Sequence, residues 1–296
     1  MKTISAQDLH FHIDKYINPY LPPSQLYRLP KPISRFFGYR EVPKQDVGSV
    51  LVWLWSFVGA FCAIALVCGL FNATPWIQAF HPPVVIASIG AGAILDYNTI
   101  TSPLAQPRNA IFGHTLSAIT GVAITKLFLY SPHFLRIRWL AAALCCASAS
   151  VVMGVTNTIH PPGGAAAILA ATEPAITAMG WWYPLIVLIG SLLMLLMAMV
   201  VNNIQRRYPL YWWTPEVVGR AKKADAEKGG SVGSEDSLQK SVMAEQVEGA
   251  WAVVITANHI SLPGFLTLGE EQMDVLQQLQ SELWAQANNH AKRTTP

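Results

Sequence analysis

The sequence predicts an all-α membrane protein with two similar helical repeats, four spanning helices and two short helices that start at prolines. The chain has 296 residues, of which 52% are hydrophobic and 12% charged, whereas a soluble domain has roughly a quarter charged residues. Of its 37 formally charged residues (20 Lys and Arg, 17 Asp and Glu), 31 lie in 1–48 and 205–296. The tripeptide His-Pro-Pro occurs twice in the apolar part between them. Residues 49–204 are therefore predicted to form a membrane domain.

Four apolar segments are long enough to cross a bilayer, which takes roughly 20 residues. They are 49–71, 110–130, 139–159 and 183–204. Two further apolar helices are predicted over 83–95 and 164–172. Because each has about 13 residues or fewer, we expect them to be re-entrant or half-spanning rather than complete crossings.

Each short helix follows one copy of His-Pro-Pro, and the two copies are 79 residues apart. When 81–93 is aligned with 160–172, six of the thirteen positions are identical. The halves 49–130 and 139–204 thus share the order long helix, break, short helix, loop, long helix. Short segments interrupted by Gly or Pro at matching positions of two halves are typical of the substrate site of a transporter.

The Pro-rich basic arm, residues 1–48, carries seven Lys and Arg and helps to orient the membrane domain. Positive charges concentrate on the cytoplasmic side of membrane proteins. If only the long helices cross, the arm, the loop with Arg136 and Arg138, and the tail that begins with Arg206 share one side. We therefore favour a multi-pass protein with four crossings and both termini on the cytoplasm-like side, and six crossings is the alternative.

The polar tail, 205–296, is the third predicted domain. Its part from 214 to 249 is rich in charged and small residues, as in a flexible linker. A strand-like run follows at 251–257 and an amphipathic helix at 269–287. Nothing in the tail indicates catalysis.

Composition and motifs exclude several classes of function. A net charge of +3 is too small to indicate nucleic-acid binding. The four cysteines are expected to be small buried hydrophobic residues, so neither a metal site nor a cofactor is predicted. No nucleophile elbow, phosphate loop or His-Glu-x-x-His pattern occurs, and the acids of the membrane domain, Asp96 and Glu173, are expected at its interfaces. The chain is therefore predicted not to be an enzyme.

The two tripeptides are the first candidate binding site: His81, Pro82, Pro83, His160, Pro161 and Pro162. A residue before proline is held extended, and proline is favoured in the first turn of a helix. Each tripeptide is therefore expected to start a short helix, with unsatisfied N–H groups and the positive end of the helix dipole beside an imidazole. Such helix starts bind anions, and Gly163 and Gly164 leave room for a ligand or a neighbouring backbone.

Other polar residues of the apolar region are further candidates. His114 lies inside a predicted spanning helix, where an ionisable residue usually has a function. Ser88 and Asn157 are neutral donors for an anion. Arg108 lies in a loop, where it is expected to recruit an anion at the mouth of a pore.

Three stretches of the sequence resemble the signature segments of the HPP family of integral membrane proteins. They are FHPPVVIASIGAGAILDY, SPLAQPRNAIFGH and TNTIHPPGGAAAILAAT. The resemblance covers about 49–204, and the arm and tail resemble those of fungal members. It implies a helical membrane domain, usually with four spanning helices, and, from chloroplast and cyanobacterial relatives, nitrite transport.

We therefore expect a transporter or channel for a small inorganic anion, nitrite first, in a lipid bilayer. The Gly- and Ala-rich helix faces would also allow a homo-oligomer. One alternative is a transition-metal transporter that uses His81, His114 and His160, because imidazoles bind zinc and copper. Another is a membrane scaffold without transport that acts through its arm and tail.

Overall fold

The computed structural model describes residues 11–40, 47–215, 218, 254–255, 260–261, 272–282 and 284. The chain divides into two compact units, Met1–Lys222 and Lys223–Pro296. The α-helices described in the first unit are α1 (Asp14–Ile17), α2 (Lys31–Phe36), α3 (Ser49–Ala73), α4 (Pro75–Gln78), α5 (Ala87–Tyr97), α6 (His114–Phe128), α7 (Phe134–Thr156), α8 (Pro161–Thr172), α9 (Pro174–Met179) and α10 (Trp182–Gln205). A π-helical turn, Asn109–Gly113, leads directly into α6.

Four helices are long and apolar enough to cross a membrane, as predicted. They are Ser49–Ala73, Asn109–Phe128, Phe134–Thr156 and Trp182–Gln205. At 1.5 Å per residue, each is about 30 Å long or longer, which matches the hydrocarbon thickness of a bilayer. The all-α fold with four spanning helices is therefore confirmed. The third span begins at Phe134 rather than 139, so it includes Arg136 and Arg138, which are exposed in its first turns.

The first short helix does not begin where the sequence predicted. α5 starts at Ala87 instead of residue 83, and His81 has a φ of 49° instead of an extended backbone. The second copy follows the prediction, because α8 starts at Pro161 and His160 is extended (φ −143°, ψ 100°). Helix propensity of the residues that follow does not separate the two copies, because Gly163 and Gly164 are poorer helix formers than the β-branched residues at 84–86.

The two ends of the helical bundle are defined by contacts of α10. At the first end, Trp55 Nε1 near the start of α3 donates to Gln205 Oε1 at the end of α10, at 2.8 Å. At the second end, the Phe80 ring beyond the end of α3 stacks on Trp182 at the start of α10, with 5.0 Å between centroids. α3 and α10 therefore run in opposite directions along the bundle.

α5 brings the chain back to the first end. Its last residue, Tyr97, accepts a hydrogen bond at its carbonyl oxygen from Arg206 Nη1, at 2.8 Å, just after α10. In the loop that follows, the Ala105 carbonyl accepts from the Tyr208 hydroxyl at 2.7 Å. The loop 98–108 therefore lies at the same end of the bundle as the start of α3.

α8 runs alongside α6 in the same direction. A Cβ atom on Gly163 would lie 2.6 Å from Ser117 Oγ, and a Cβ atom on Gly121 would lie 2.7 Å from Ala167 Cα. These approaches leave no room for side chains at the two glycines, so the helices are in backbone contact. Because α6 starts from the first end, α8 leads to the second end.

Within the described part of the first unit, the chain thus passes six times between the two ends, four times through long helices and twice through segments with a short helix. A topology with four crossings and re-entrant helices, which the charges favoured, does not fit these contacts, whereas half-spanning helices do. The charge argument for four crossings depended on only two residues, Arg136 and Arg138, which was too few to decide the number of crossings. Each half makes three passes, so the second half runs in the opposite sense to the first.

The described part of the arm, 11–40, packs against the first end of the bundle. Ile13 N donates to the Val155 carbonyl at 3.0 Å, and Arg40 Nη2 donates to Asn203 Oδ1 at 2.7 Å. The arm and residues 205–215 therefore pack against the membrane domain, although the sequence assigned them to separate domains.

In the second unit, two strands are described, β1 (Val254–Ile255) and β2 (Ile260–Ser261). They pair antiparallel, with Val254 opposite Ser261. A helix over 272–282, α11, falls inside the predicted helix 269–287. The predicted linker from 214 to 249 lies almost entirely outside the described residues.

Candidate functional site

His114 is the centre of the candidate site. It lies in the first turn of α6, directly after the π-helical turn, and its residue is 3% exposed. Its Nε2 atom is 2.9 Å from Ser88 Oγ on α5, and its Nδ1 atom is 3.0 Å from Ser191 Oγ on α10. A neutral imidazole satisfies both contacts by donating to one hydroxyl and accepting from the other. His114 and Ser88, both predicted from the sequence, are therefore in contact.

His160 lies next to His114, with 5.5 Å between the ring centroids, and is 1% exposed. Its Nδ1 atom is 3.0 Å from the Leu104 carbonyl oxygen. Because a carbonyl only accepts, Nδ1 carries the proton, and in the neutral tautomer Nε2 has a lone pair for another donor. The sequence thus identified both imidazoles of this pair.

A small void lies beside the two imidazoles. Its volume is about 10 Å³, close to the minimum that holds one water molecule. Ser191 and Met194, which line it, are near the midpoint of α10. The residues that line the void are Ile89, Gly92, Asp96, Ala110, His114, His160, Ser191 and Met194. The void is therefore polar and lies deep within an apolar bundle.

Asp96 is the acid of this void. It lies one residue before the end of α5, at the first end of the bundle, and is 3% exposed, whereas Glu173 at the end of α8 is half-buried. The expectation that both acids lie at membrane interfaces stays a prediction. Asn202 Nδ2 on α10 donates to the Asp96 backbone carbonyl at 2.8 Å. α10 therefore packs against the part of α5 that carries Asp96. Ser191 was not singled out, because one serine in an apolar helix carries no pattern.

The first tripeptide lies outside the void. His81 is exposed, and Pro82 and Pro83 are half-buried on the way to α5. None of the three lines the void. Because α5 starts later than predicted, Ser88 rather than His81 is the side chain that the first short helix brings to His114.

The second tripeptide starts α8, but it offers fewer free donors than expected. Pro161 and Pro162 occupy the first two helical positions and have no N–H group. Gly163 N donates to the His160 carbonyl at 2.8 Å. Gly163 also permits the contact with α6, and a Cβ atom on Gly164 would meet only Cys146 Sγ, at 3.5 Å. The described contacts of the two glycines are therefore with neighbouring helices.

The starts of both short helices nevertheless converge on His114. Ser88 is the second residue of α5, and His160 immediately precedes α8. From this point α5 leads to the first end of the bundle and α8 to the second. The positive ends of both helix dipoles therefore face the same region. That a ligand binds there stays a prediction.

Comparison with known proteins agrees with this architecture. A family model described as the HPP transmembrane region matches residues 45–209, more than half of the chain. The chain belongs to the HPP family. Two transmembrane proteins of Dictyostelium discoideum are 38% and 36% identical to it over 106 residues, 36% of this chain and 35% and 32% of theirs. The chain thus spans about a third of the length of these curated relatives, and no solved structure matches.

The HPP domain has a second buried polar cluster at its first end, around Arg108. The Arg108 guanidinium forms a two-pronged salt bridge with Asp14 of the arm, in which Nη1 donates to Oδ2 at 2.9 Å. Nη2 also donates to the Thr156 carbonyl at 2.7 Å, and the Trp213 ring centroid lies 3.9 Å from the guanidinium carbon. The charge of Arg108 is therefore neutralised, so Arg108 is not the free anion-recruiting group that the sequence suggested.

Asn157 belongs to this cluster and not to the void. It ends α7 with a φ of 51°, and its Nδ2 atom donates to Asp14 Oδ2 at 2.6 Å. Burial opposes ionisation of Asp14, but hydrogen bonds from Arg108 and Asn157, with the charges of Arg108 and His12, lower the pKa of this carboxyl below its usual value. The arm thereby holds the connection between α7 and α8, which leads to His160.

The arrangement in the HPP domain does not match the predicted metal alternative. His81 lies outside the region where His114 and His160 meet. Among the described residues, no group of three or more His, Cys, Asp or Glu side chains is arranged to hold a metal ion. The described residues therefore favour no metal-transport site.

Proposed function

We propose that this HPP protein transports a small inorganic anion, with nitrite as the first choice, through the region around His114. A multi-pass HPP membrane protein with four candidate spanning helices fits a membrane transporter or channel. The observation that carries the proposal is the convergence of two short helix starts on a polar void near the midpoint of α10. The proposal includes no catalytic step.

The path of the chain supports transport. The two halves each make three passes and run in opposite senses, and each half contains one short helix. Inverted halves with interrupted helices are typical of secondary transporters, whose substrate sites lie between the halves near the bilayer midplane.

The chemistry of the void supports an anion. The positive ends of α5 and α8 face it, and the Ser191 hydroxyl can donate to an anion there when His114 Nδ1 donates to that hydroxyl. These groups compensate a single negative charge without a buried fixed cation, whose desolvation is expensive. The void is too small for a triatomic anion. We therefore propose that the described conformation is occluded. As in a carrier, the void would open in other conformations to one side of the membrane or to the other.

Uptake by purified protein in liposomes tests the proposal. Nitrite, nitrate and chloride are supplied in turn, and the internal anion is measured against liposomes without protein. We expect nitrite uptake by the wild type and a loss of uptake in His114→Ala, because the imidazole joins both serine hydroxyls at the void. His133→Ala is the matched control, since His133 is exposed in the loop before α7.

Two results would overturn the proposal. Uptake of no tested anion by folded wild-type protein would contradict anion transport itself. Equal nitrite uptake by His114→Ala and His133→Ala would contradict the assignment of the route. That the positive, arm-bearing side faces the cytoplasm, and that the arm and tail are of fungal type, stay predictions.

A further inference from the structure

Asp96 has an unusual environment that anion binding alone does not explain. It is 3% exposed and lines the same void as both imidazoles. Within the described residues, its Oδ1 atom has no hydrogen-bond partner. An ionised carboxylate buried without a partner is costly, whereas a protonated carboxyl costs far less. A negative carboxylate would also repel an anion in the same void.

The titratable groups around Asp96 are engaged elsewhere. The Tyr97 hydroxyl on its own helix donates to the Met194 carbonyl at 2.9 Å, and the Tyr208 hydroxyl donates to the loop before α6. Arg206, after α10, donates to the Tyr97 carbonyl and to Asn202 Oδ1. Its buried Nε atom, like Asp96 Oδ1, has no partner in the described part of the chain, and no ion pair joins the two side chains there.

The imidazoles facing the void lie close enough together to oppose each other's protonation. Both ring nitrogens of His114 contact serine hydroxyls, and His160 donates from Nδ1 to a carbonyl. With 5.5 Å between the rings, protonating one imidazole disfavours protonating the other. Asp96 Oδ1, which has no hydrogen-bond partner among the described residues, can take or release a proton.

We infer that Asp96 carries a proton across the membrane together with the transported anion. This inference rests on the proposed anion transport. Oδ1 takes up one proton from the side of entry, and the neutral carboxyl then allows one anion to bind beside His114 and His160. On the other side the anion leaves and the carboxyl releases its proton. The net movement is one proton and one monovalent anion, with no net charge.

The same geometry explains why the two would move together. The anion binds poorly while Asp96 is ionised, because two negative charges would share one small buried void. The proton is held poorly while the void is open to water without an anion. Each ligand thus favours the binding of the other, as thermodynamic linkage requires.

The test separates proton coupling from anion binding. Asp96→Asn keeps the shape of the side chain and the backbone carbonyl that Asn202 contacts, but it cannot carry the proton. Two rates are measured in liposomes: accumulation of nitrite driven by a proton gradient, and exchange of ¹⁵N-labelled nitrite for unlabelled nitrite at equal pH. Liposomes without protein give the background, because nitrous acid itself crosses lipid. Glu173→Gln is the control, since this half-buried acid lies at the end of α8, outside the void.

We expect Asp96→Asn to lose gradient-driven accumulation down to the background and to retain exchange above that background, at a rate that no longer depends on pH. Glu173→Gln should keep both. Accumulation by Asp96→Asn at the wild-type rate would overturn the inference and leave anion transport standing. Loss of both rates in correctly folded Asp96→Asn would overturn it too, because the residue would then serve anion binding. Absence of exchange in the wild type would overturn both proposals.

Discussion

Replacing Asp14 with asparagine tests how the arm holds the HPP domain. Asp14 and Arg108 are both almost fully buried, with side chains 4% and 3% exposed. Removing one partner of a buried ion pair typically costs about 3–5 kcal/mol. The Trp213 ring and the Thr156 carbonyl still surround the guanidinium, so we expect a loss of about 3 kcal/mol, at the low end of that range.

The assay is thermal unfolding of purified protein in detergent, followed by tryptophan fluorescence at one scan rate. Asp14→Asn should unfold at a clearly lower temperature than Lys15→Gln, the control, because Lys15 is exposed beside it. The double variant Asp14→Asn with Arg108→Gln should lose less stability than the two single variants lose in total. An unfolding temperature of Asp14→Asn equal to that of the wild type, or strictly additive losses of stability in the double variant, would refute the conclusion that the Asp14–Arg108 pair holds the arm.

The pH dependence of this contact has a defined sign. The folded state lowers the pKa of the Asp14 carboxyl, so its stabilisation is complete above the unfolded pKa, about 3.9. It is lost as the pH falls through the lower folded value. The difference in stability between wild type and Asp14→Asn should therefore be constant at neutral pH and shrink only in acid. A difference that disappears already near neutral pH would contradict the assignment.

Three further predictions concern helix packing, topology and the first tripeptide. Gly121→Val should cost about 2 kcal/mol or more, because its side chain would meet the α8 backbone, whereas Gly69→Val, which faces open space, should unfold like the wild type. In a cysteine-free background, Thr101→Cys and Tyr20→Cys should react with an impermeant reagent from the same side of the membrane, and labelling from opposite sides would contradict the six passes. His81→Ala should keep nitrite uptake near the wild-type level. A loss of uptake as large as that of His114→Ala would show that the first tripeptide takes part in anion binding.

The spanning helices were predictable because their signal is local. Each needs about 20 apolar residues in a row, and such runs are visible without knowledge of packing. The start of α5 was not predictable in this way, although the tripeptide before it has the same residues as the tripeptide that starts α8. The local rule for proline applies to both copies, so it cannot tell the copy that starts a helix from the copy that does not.

The site was predictable in part, for a related reason. His114 and His160 stand out as polar residues inside apolar segments, so the sequence identified them. Their partners depend on tertiary packing: Ser191 contacts His114 from a helix 77 residues further on, and Asp14 pairs with Arg108 across 94 residues. No local pattern contains such pairings. The contact of Asp96 with Asn202 on α10 likewise joins residues that are far apart in sequence.

Protection of an introduced cysteine by nitrite tests the central claim, that a small anion occupies the void beside His114. Ala110 lines the void and is buried, so Ala110→Cys, in a background without the four native cysteines, places a thiol there. The rate of reaction with a small thiol reagent is measured with and without nitrite, with Tyr130→Cys as the exposed control. We predict that nitrite slows the reaction at position 110 and leaves position 130 unchanged. Equal rates at position 110 with and without saturating nitrite would contradict the account.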